Sequence, residues 1–175
     1  MKSENLYFFQ HNFSETEIDA ADIFGGLADV ISSCYSNDAF PVKTAIYLFT
    51  PDAGVYHSIG LWENALEHGP DFANPRNFPW TLASCPASFL ARNLNAHGPN
   101  TTLIGGIENL PQIEEWLQLH AAQELIEVAI VVYLQNNTNI LNPSSGFCKG
   151  GIISIRADFD LNSNFEELRN FFLDN

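Results

Sequence analysis

Cys85 and Cys148 are the side chains in this sequence whose nucleophilic chemistry is worth following. A cysteine nucleophile needs a base to draw off its proton and a third group to orient that base. Neither cysteine stands at a recognisable strand-to-helix elbow with such partners close by in sequence, and an unpaired cysteine packs well as a small buried hydrophobe. His97 and His120 have the titration range for proton transfer, although a turn or surface position accounts for both. The adjacent acids Glu114–Glu115 and Glu166–Glu167 point to different faces of a helix and read as solvated charge. His57, His68 and Asp71 lack His-x₃-His or His-Glu-x-x-His spacing, so no metal and no cofactor is expected. Gly105–Gly106 could offer backbone N–H groups to a ligand at a helix start, or simply make a tight turn. Phe72, Phe78, Trp80 and Phe89 could line an apolar acyl or aryl pocket; core packing would use the same residues.

The elements that must position these groups follow from apolar periodicity. Phe8, Phe9 and Phe13 suit a buried first strand, although residues 4–10 differ by one extra Phe from a common tag-cleavage sequence. Ser14 or Thr16 can cap a helix whose Phe24, Leu27, Ala28 and Ile31 share a face, ending near Cys34–Asn37. Lys43–Thr50 reads as a strand stopped by Pro51–Gly54, and the prolines between Glu67 and Pro79 mark irregular structure. A helix opens near Pro86 and carries Ala87, Leu90, Ala91 and Leu94 before His97-Gly98-Pro99. Thr101–Ile104 follows as a short strand, and Asn109 is a plausible cap for a helix that buries Leu110, Ile113, Leu117 and Ala121.

The continuous apolar run Val128–Leu134 suits a strand covered on both faces of a mostly parallel sheet. A polar loop (135–145), a strand over Gly151–Ala157 and a short helix through Phe165, Leu168, Phe171 and Phe172 complete the chain. The order β-α-β-α-β-α-β-β plus a terminal helix predicts an α/β layered sandwich with a mostly parallel, five-stranded mixed sheet.

The chain has 175 residues, 46% of them hydrophobic, which suits one domain over residues 1–175 without metals or disulfides. Three cysteines form no close pair, no apolar run approaches the ~20 residues of a membrane span, and no leader pattern opens the sequence. A cytoplasmic protein is the expectation. Seven Lys and Arg stand singly against 21 Asp and Glu, giving a net charge of −14. Nucleic acid and anionic membrane are bound through clustered positive charge, so neither is an expected partner.

Four stretches, in order, resemble β-ketoacyl synthases of the thiolase-like superfamily. Residues 74–87 (NPRNFPWTLASCPA) look like the segment that opens the helix before the nucleophile strand. Residues 90–102 (LARNLNAHGPNTT) are similar to that helix, its Gly-Pro turn and the following strand. Residues 127–132 (EVAIVV) resemble the buried strand after the nucleophile helix, and residues 146–151 (GFCKGG) the glycine-rich Gly-Phe segment. The resemblance implies a single thiolase-like half, the N-terminal one.

In that family the nucleophilic cysteine would fall at about Ile107, where a hydrocarbon can neither ionise nor hold a thioester. The histidines of condensation belong to the family's second half, which these residues do not include. The resemblance therefore implies an inactive partner comparable to chain-length factors in fatty-acid or polyketide-type biosynthesis. It further implies dimerisation through Asn100, Thr101, Thr102, Leu103 and Ile104, as a homodimer or as a heterodimer with a full-length ketoacyl synthase. Acyl carrier protein is acidic, so its contact is expected only indirectly, through a basic partner. Two alternatives stay open. One is a thioester hydrolase or acyltransferase using Cys85 or Cys148, and the other a non-catalytic binder of an apolar ligand.

Overall fold

The computed structural model describes residues 5–14, 20–35, 39–51, 54–72, 75, 78–136, 145–155 and 161–174. Five strands form one sheet in the order β1-β5-β4-β2-β3. They are β1 (Leu6–Ser14), β2 (Thr44–Thr50), β3 (Asn100–Ile104), β4 (Val128–Asn136) and β5 (Ser145–Ser154). The β2–β3 and β2–β4 pairings are parallel, whereas β5 is antiparallel to both β1 and β4. Four strands therefore run one way and β5 alone runs against them, which is the mixed, mostly parallel sheet expected from the sequence.

Strand alternation distributes the apolar residues between two cores. Ile46, Leu48, Val128, Ile130, Val132, Cys148 and Ile152 face helices α1 (Ala20–Cys34) and α3 (Cys85–Asn93), which bring Phe24, Leu27, Ile31 and Leu90. Tyr47, Phe49, Ala129, Val131 and Ile153 face α4 (Leu110–Ala122) and α5 (Leu161–Leu173), which bring Ile113, Leu117, Phe165, Leu168 and Phe172. β2 and the 128–134 run of β4 are buried throughout, as strands covered on both faces must be. Lys149 fastens the end of α5 to the sheet, its Nζ donating to the carbonyls of Asp174 at 3.1 Å and Phe171 at 3.5 Å. A cation among the terminal carbonyls of a helix also complements the helix dipole.

Several elements depart from the sequence expectation. A helix, α2 (Val55–His68), lies between β2 and the prolines, where no element was assigned. β5 begins at Ser145 instead of Gly151, because its glycines admit close neighbours. A Cβ on Gly150 would collide with the Val131 carbonyl and lie 3.0 Å or less from the Phe9 ring. Ser14 is the last residue of β1, and its side chain and Thr16 lie outside the described residues. Asn109 has helical dihedrals and makes no side-chain cap; its Nδ2 donates instead to the Ile104 carbonyl at 3.3 Å.

Candidate functional site

The turn from β3 into α4 carries Ile107, the position at which the sequence resemblance implies a nucleophile. β3 ends at Ile104, Gly105–Gly106 reverse the chain, and a single 3₁₀ turn, Ile107–Asn109, leads into α4. Gly105 has φ 140°, and a Cβ there would strike the Asn109 side chain, so glycine is required. The Ile107 side chain is half-buried and packs on the core beneath α4, so a hydrocarbon fills the first position of the turn.

Neither glycine N–H of this turn is free for a ligand. Gly105 N–H donates to the Thr50 carbonyl at 2.9 Å, and Gly106 N–H to Glu108 Oε1 at 2.7 Å. The hydrogen bonds from Gly106 and from its own backbone N–H hold the exposed Glu108 carboxyl below the usual carboxylate range. The upstream Gly98–Pro99 turn is fixed by a different constraint. A Cβ on Gly98 would lie 2.7 Å from the Thr44 carbonyl oxygen, which already accepts the Gly98 N–H at 2.9 Å.

The fold scatters the candidate nucleophiles and bases. Cys85 is the first residue of α3, half-buried, and burial raises its thiol pKa. Cys148 is fully buried in β5, its Sγ 3.5 Å from the His11 carbonyl, and burial pushes its pKa up to about 12. Among the described residues neither thiol is hydrogen-bonded to an imidazole or a carboxylate. Exposed His97 bonds to Asn95 Oδ1 at 3.1 Å. His120 Nδ1 lies 2.6 Å from the Tyr47 hydroxyl with the rings stacked, so its ring braces α4 against β2. His68 and Asp71 are exposed, the His57 side chain lies outside the described residues, and no group of three or more metal-ligating side chains occurs among the described residues.

Of the four aromatics, the fold joins two. Trp80 stacks on Phe24 (centroids 5.4 Å apart, planes 8° apart) and tilts against Phe89 at 5.3 Å, which builds both rings into the upper core. Phe78 faces solvent, and the Phe72 side chain lies outside the described residues. A cleft of about 250 Å³ opens elsewhere, at the C-terminal ends of α1 and α3, lined by Tyr35, Phe40, Leu94, Ser32, Asn93 and Asn95. Nothing in the residue types marked that cleft in advance, because its walls come from segments separated by some sixty positions.

Asn100–Ile104 forms an edge strand, paired with β2 on one side only. Pro99 O and Gly105 N bond to Ile46 and Thr50 of β2, and in a parallel ladder alternate residues turn both polar groups the same way. Asn100, Thr102 and Ile104 therefore present their N–H and C=O groups outward. Ile104 is 67% exposed, and Thr102 Oγ1 is buried with no hydrogen-bond partner among the described residues. This edge is uncharged along its whole length, so no like-charge repulsion opposes the addition of another strand.

No protein-family model matches the sequence, and no curated protein matches it. Solved structures do. The chain superimposes on the ishigamide ketosynthase/chain length factor with a TM-score of 0.56 at 14% identity, over 68% of this chain and 38% of that one. It matches a ketosynthase in complex with its chain length factor from Xenorhabdus doucetiae with a TM-score of 0.54 at 15% identity, over 86% and 68% of the two chains. A type II PKS acyl-carrier protein in complex with its ketosynthase gives 0.59 at 9% identity, over 87% and 46%. The chain thus spans less than half the length of two of these. At such identities the likeness establishes the fold, which is that of a single thiolase-like half as found in ketosynthase and chain length factor structures.

Proposed function

We propose that this chain is a non-catalytic ketosynthase-like subunit that pairs with a ketosynthase in polyketide-type biosynthesis. The observation that carries the reading is the half-buried Ile107 at the turn after β3, within a fold shared with ketosynthases and chain length factors. A hydrocarbon at that place has no lone pair with which to accept an acyl group. Residues 1–175 are read as one such half, working in the cytoplasm; among the described residues no helix is long and apolar enough to cross a membrane.

The contact is the open edge of β3, where Asn100, Thr102 and Ile104 offer outward backbone groups to a strand of the partner. A ketosynthase is favoured over a second copy by the net charge of −14, and acyl carrier protein would meet the complex through the partner's basic surface. The thioester-hydrolase reading would rest on Cys85, whose thiol is disfavoured as a thiolate by burial and has no base beside it among the described residues.

The test is co-expression with the ketosynthase encoded nearest this gene, followed by size-exclusion chromatography with light scattering. A one-to-one complex lost on Thr102→Pro is expected, since proline removes an outward N–H while leaving the ladder to β2 intact. A monomer that leaves the ketosynthase behind would refute the reading.

A further inference from the structure

Helix α2 turns its apolar stripe toward solvent. Val55, Ile59, Trp62 and Leu66 recur at i, i+4, i+7 and i+11, within about 60° of the helix circumference at roughly 100° per residue. Such a stripe ordinarily faces a core. Here Trp62 is 67% and Leu66 78% exposed, Val55 is exposed, and Ile59 is half-buried. The flank roughly a quarter turn round the helix, with half-buried Ser58, Leu61 and Ala65, is the side turned inward.

The backbone fixes this orientation. Gly54, just before α2, has φ 81°, and a Cβ on it would lie 2.7 Å from the Thr81 carbonyl oxygen. Thr81 ends the 3₁₀ turn Phe78–Thr81, which Trp80 anchors by stacking on Phe24 in the core. Phe78 on that turn and Leu82 just after it are also exposed, so five of the eleven exposed large hydrophobics among the described residues fall between 55 and 82. Exposed apolar residues gathered on one rigid unit mark a contact surface.

The charges around the stripe define what can cover it. Glu63 and Glu67 are exposed on the same helix, Asp71 is exposed just after it, and α2 contains no Lys or Arg. The described part of a second copy of this chain has little to answer them with. Among the described residues, Lys43 is bonded to the Glu124 carbonyl, Lys149 to the end of α5, and Arg169 to Glu114 and Glu166, leaving Arg92. We propose that the Val55–Ile59–Trp62–Leu66 face of α2 docks into an apolar groove edged with Lys or Arg on a different polypeptide. The proposal rests on the reading of this chain as a partner subunit, and adds to the β3 edge a second contact with defined chemistry.

The test uses the full chain and two fluorescein-labelled helical peptides of equal length, one of Leu and Lys, the other of Leu and Glu, followed by anisotropy. The Leu/Lys peptide is expected to bind the natural chain roughly tenfold or more tightly than the Trp62→Ser/Leu66→Ser variant, because a buried Trp is a dominant anchor. The Leu/Glu peptide is expected not to bind. Equal binding of the Leu/Lys peptide to chain and variant would show that net charge alone attracts it, and would overturn the proposal. So would self-association of the natural chain, seen by light scattering and lost in the variant, since the occupant would then be a second copy. The co-expressed ketosynthase separates the two readings. A complex sensitive to Thr102→Pro but indifferent to the Trp62/Leu66 variant retains the partner assignment and refutes α2 docking. No complex, with the peptides still discriminated, refutes the partner assignment alone.

Discussion

Replacing Phe172 with alanine tests whether α5 seals the lower face of the sheet. Phe172 is 1% exposed and meets the Phe49 ring of β2 edge-on, with centroids 5.3 Å apart and planes at 69°. Truncation removes a fully buried ring and leaves a cavity walled by Phe49, Phe165 and Leu168, which rigid strands cannot close. Phe-to-Ala changes at such sites cost about 3–5 kcal/mol, and the lost edge-to-face contact contributes about 0.5–1.5 kcal/mol of that. Against a total stability on the order of 5–15 kcal/mol this is a large fraction. Urea unfolding followed by circular dichroism is the assay, and the midpoint is expected to fall at constant m-value. Leu173→Ala, one residue on and 56% exposed, is the control and should change stability by no more than about 0.5 kcal/mol. Equal, small losses in the two variants, below about 1 kcal/mol, would show that α5 does not cover this face.

Gly98→Ala should lower stability by about 1–3 kcal/mol in thermal melts, because the new methyl group meets backbone at the start of β2 and not a movable side chain. Iodoacetamide at mildly alkaline pH should label Cys34 and Cys85 well before Cys148, which should react only after denaturant is added; mass mapping of the labelled peptides reads the order. Stability should fall as pH rises from about 9 toward about 12, since the unfolded Cys148 thiol loses a proton that the folded one keeps. Tyr47, also raised by burial, acts in the same direction, so Cys148→Ala should flatten the lower part of this slope in pH-dependent urea titrations.

The sheet was legible where residue type and burial agree. The β-branched and aromatic runs at 44–50 and 128–134 are strands because both faces are buried, and nothing else in the chain competes for those residues. The stripe of α1 was legible for the same reason. The start of β5 was hidden by Gly146, Gly150 and Gly151, which read as loop locally yet are the residues that let β1 and β4 approach. Helix α2 was not legible although Val55, Ile59, Trp62 and Leu66 carry a helical period, because Pro51 and Pro70 bracket it as loop and the stripe faces away from the core. The Ile107 position was legible only through the family resemblance of the Gly98–Pro99 turn and the strand that follows it. The closure of that turn by Glu108 depends on a side chain curling back two residues to Gly106, which no spacing rule anticipates.

Intact-mass spectrometry of the purified chain after incubation with an acyl thioester decides whether any of its cysteines takes up an acyl group. The mass is expected to stay unchanged, in the natural chain and in Cys85→Ala alike, since burial disfavours the Cys85 and Cys148 thiolates and neither thiol has a base beside it among the described residues. A stable adduct of one acyl group, abolished by Cys85→Ala, would contradict the non-catalytic reading by showing a thiol competent for acyl transfer.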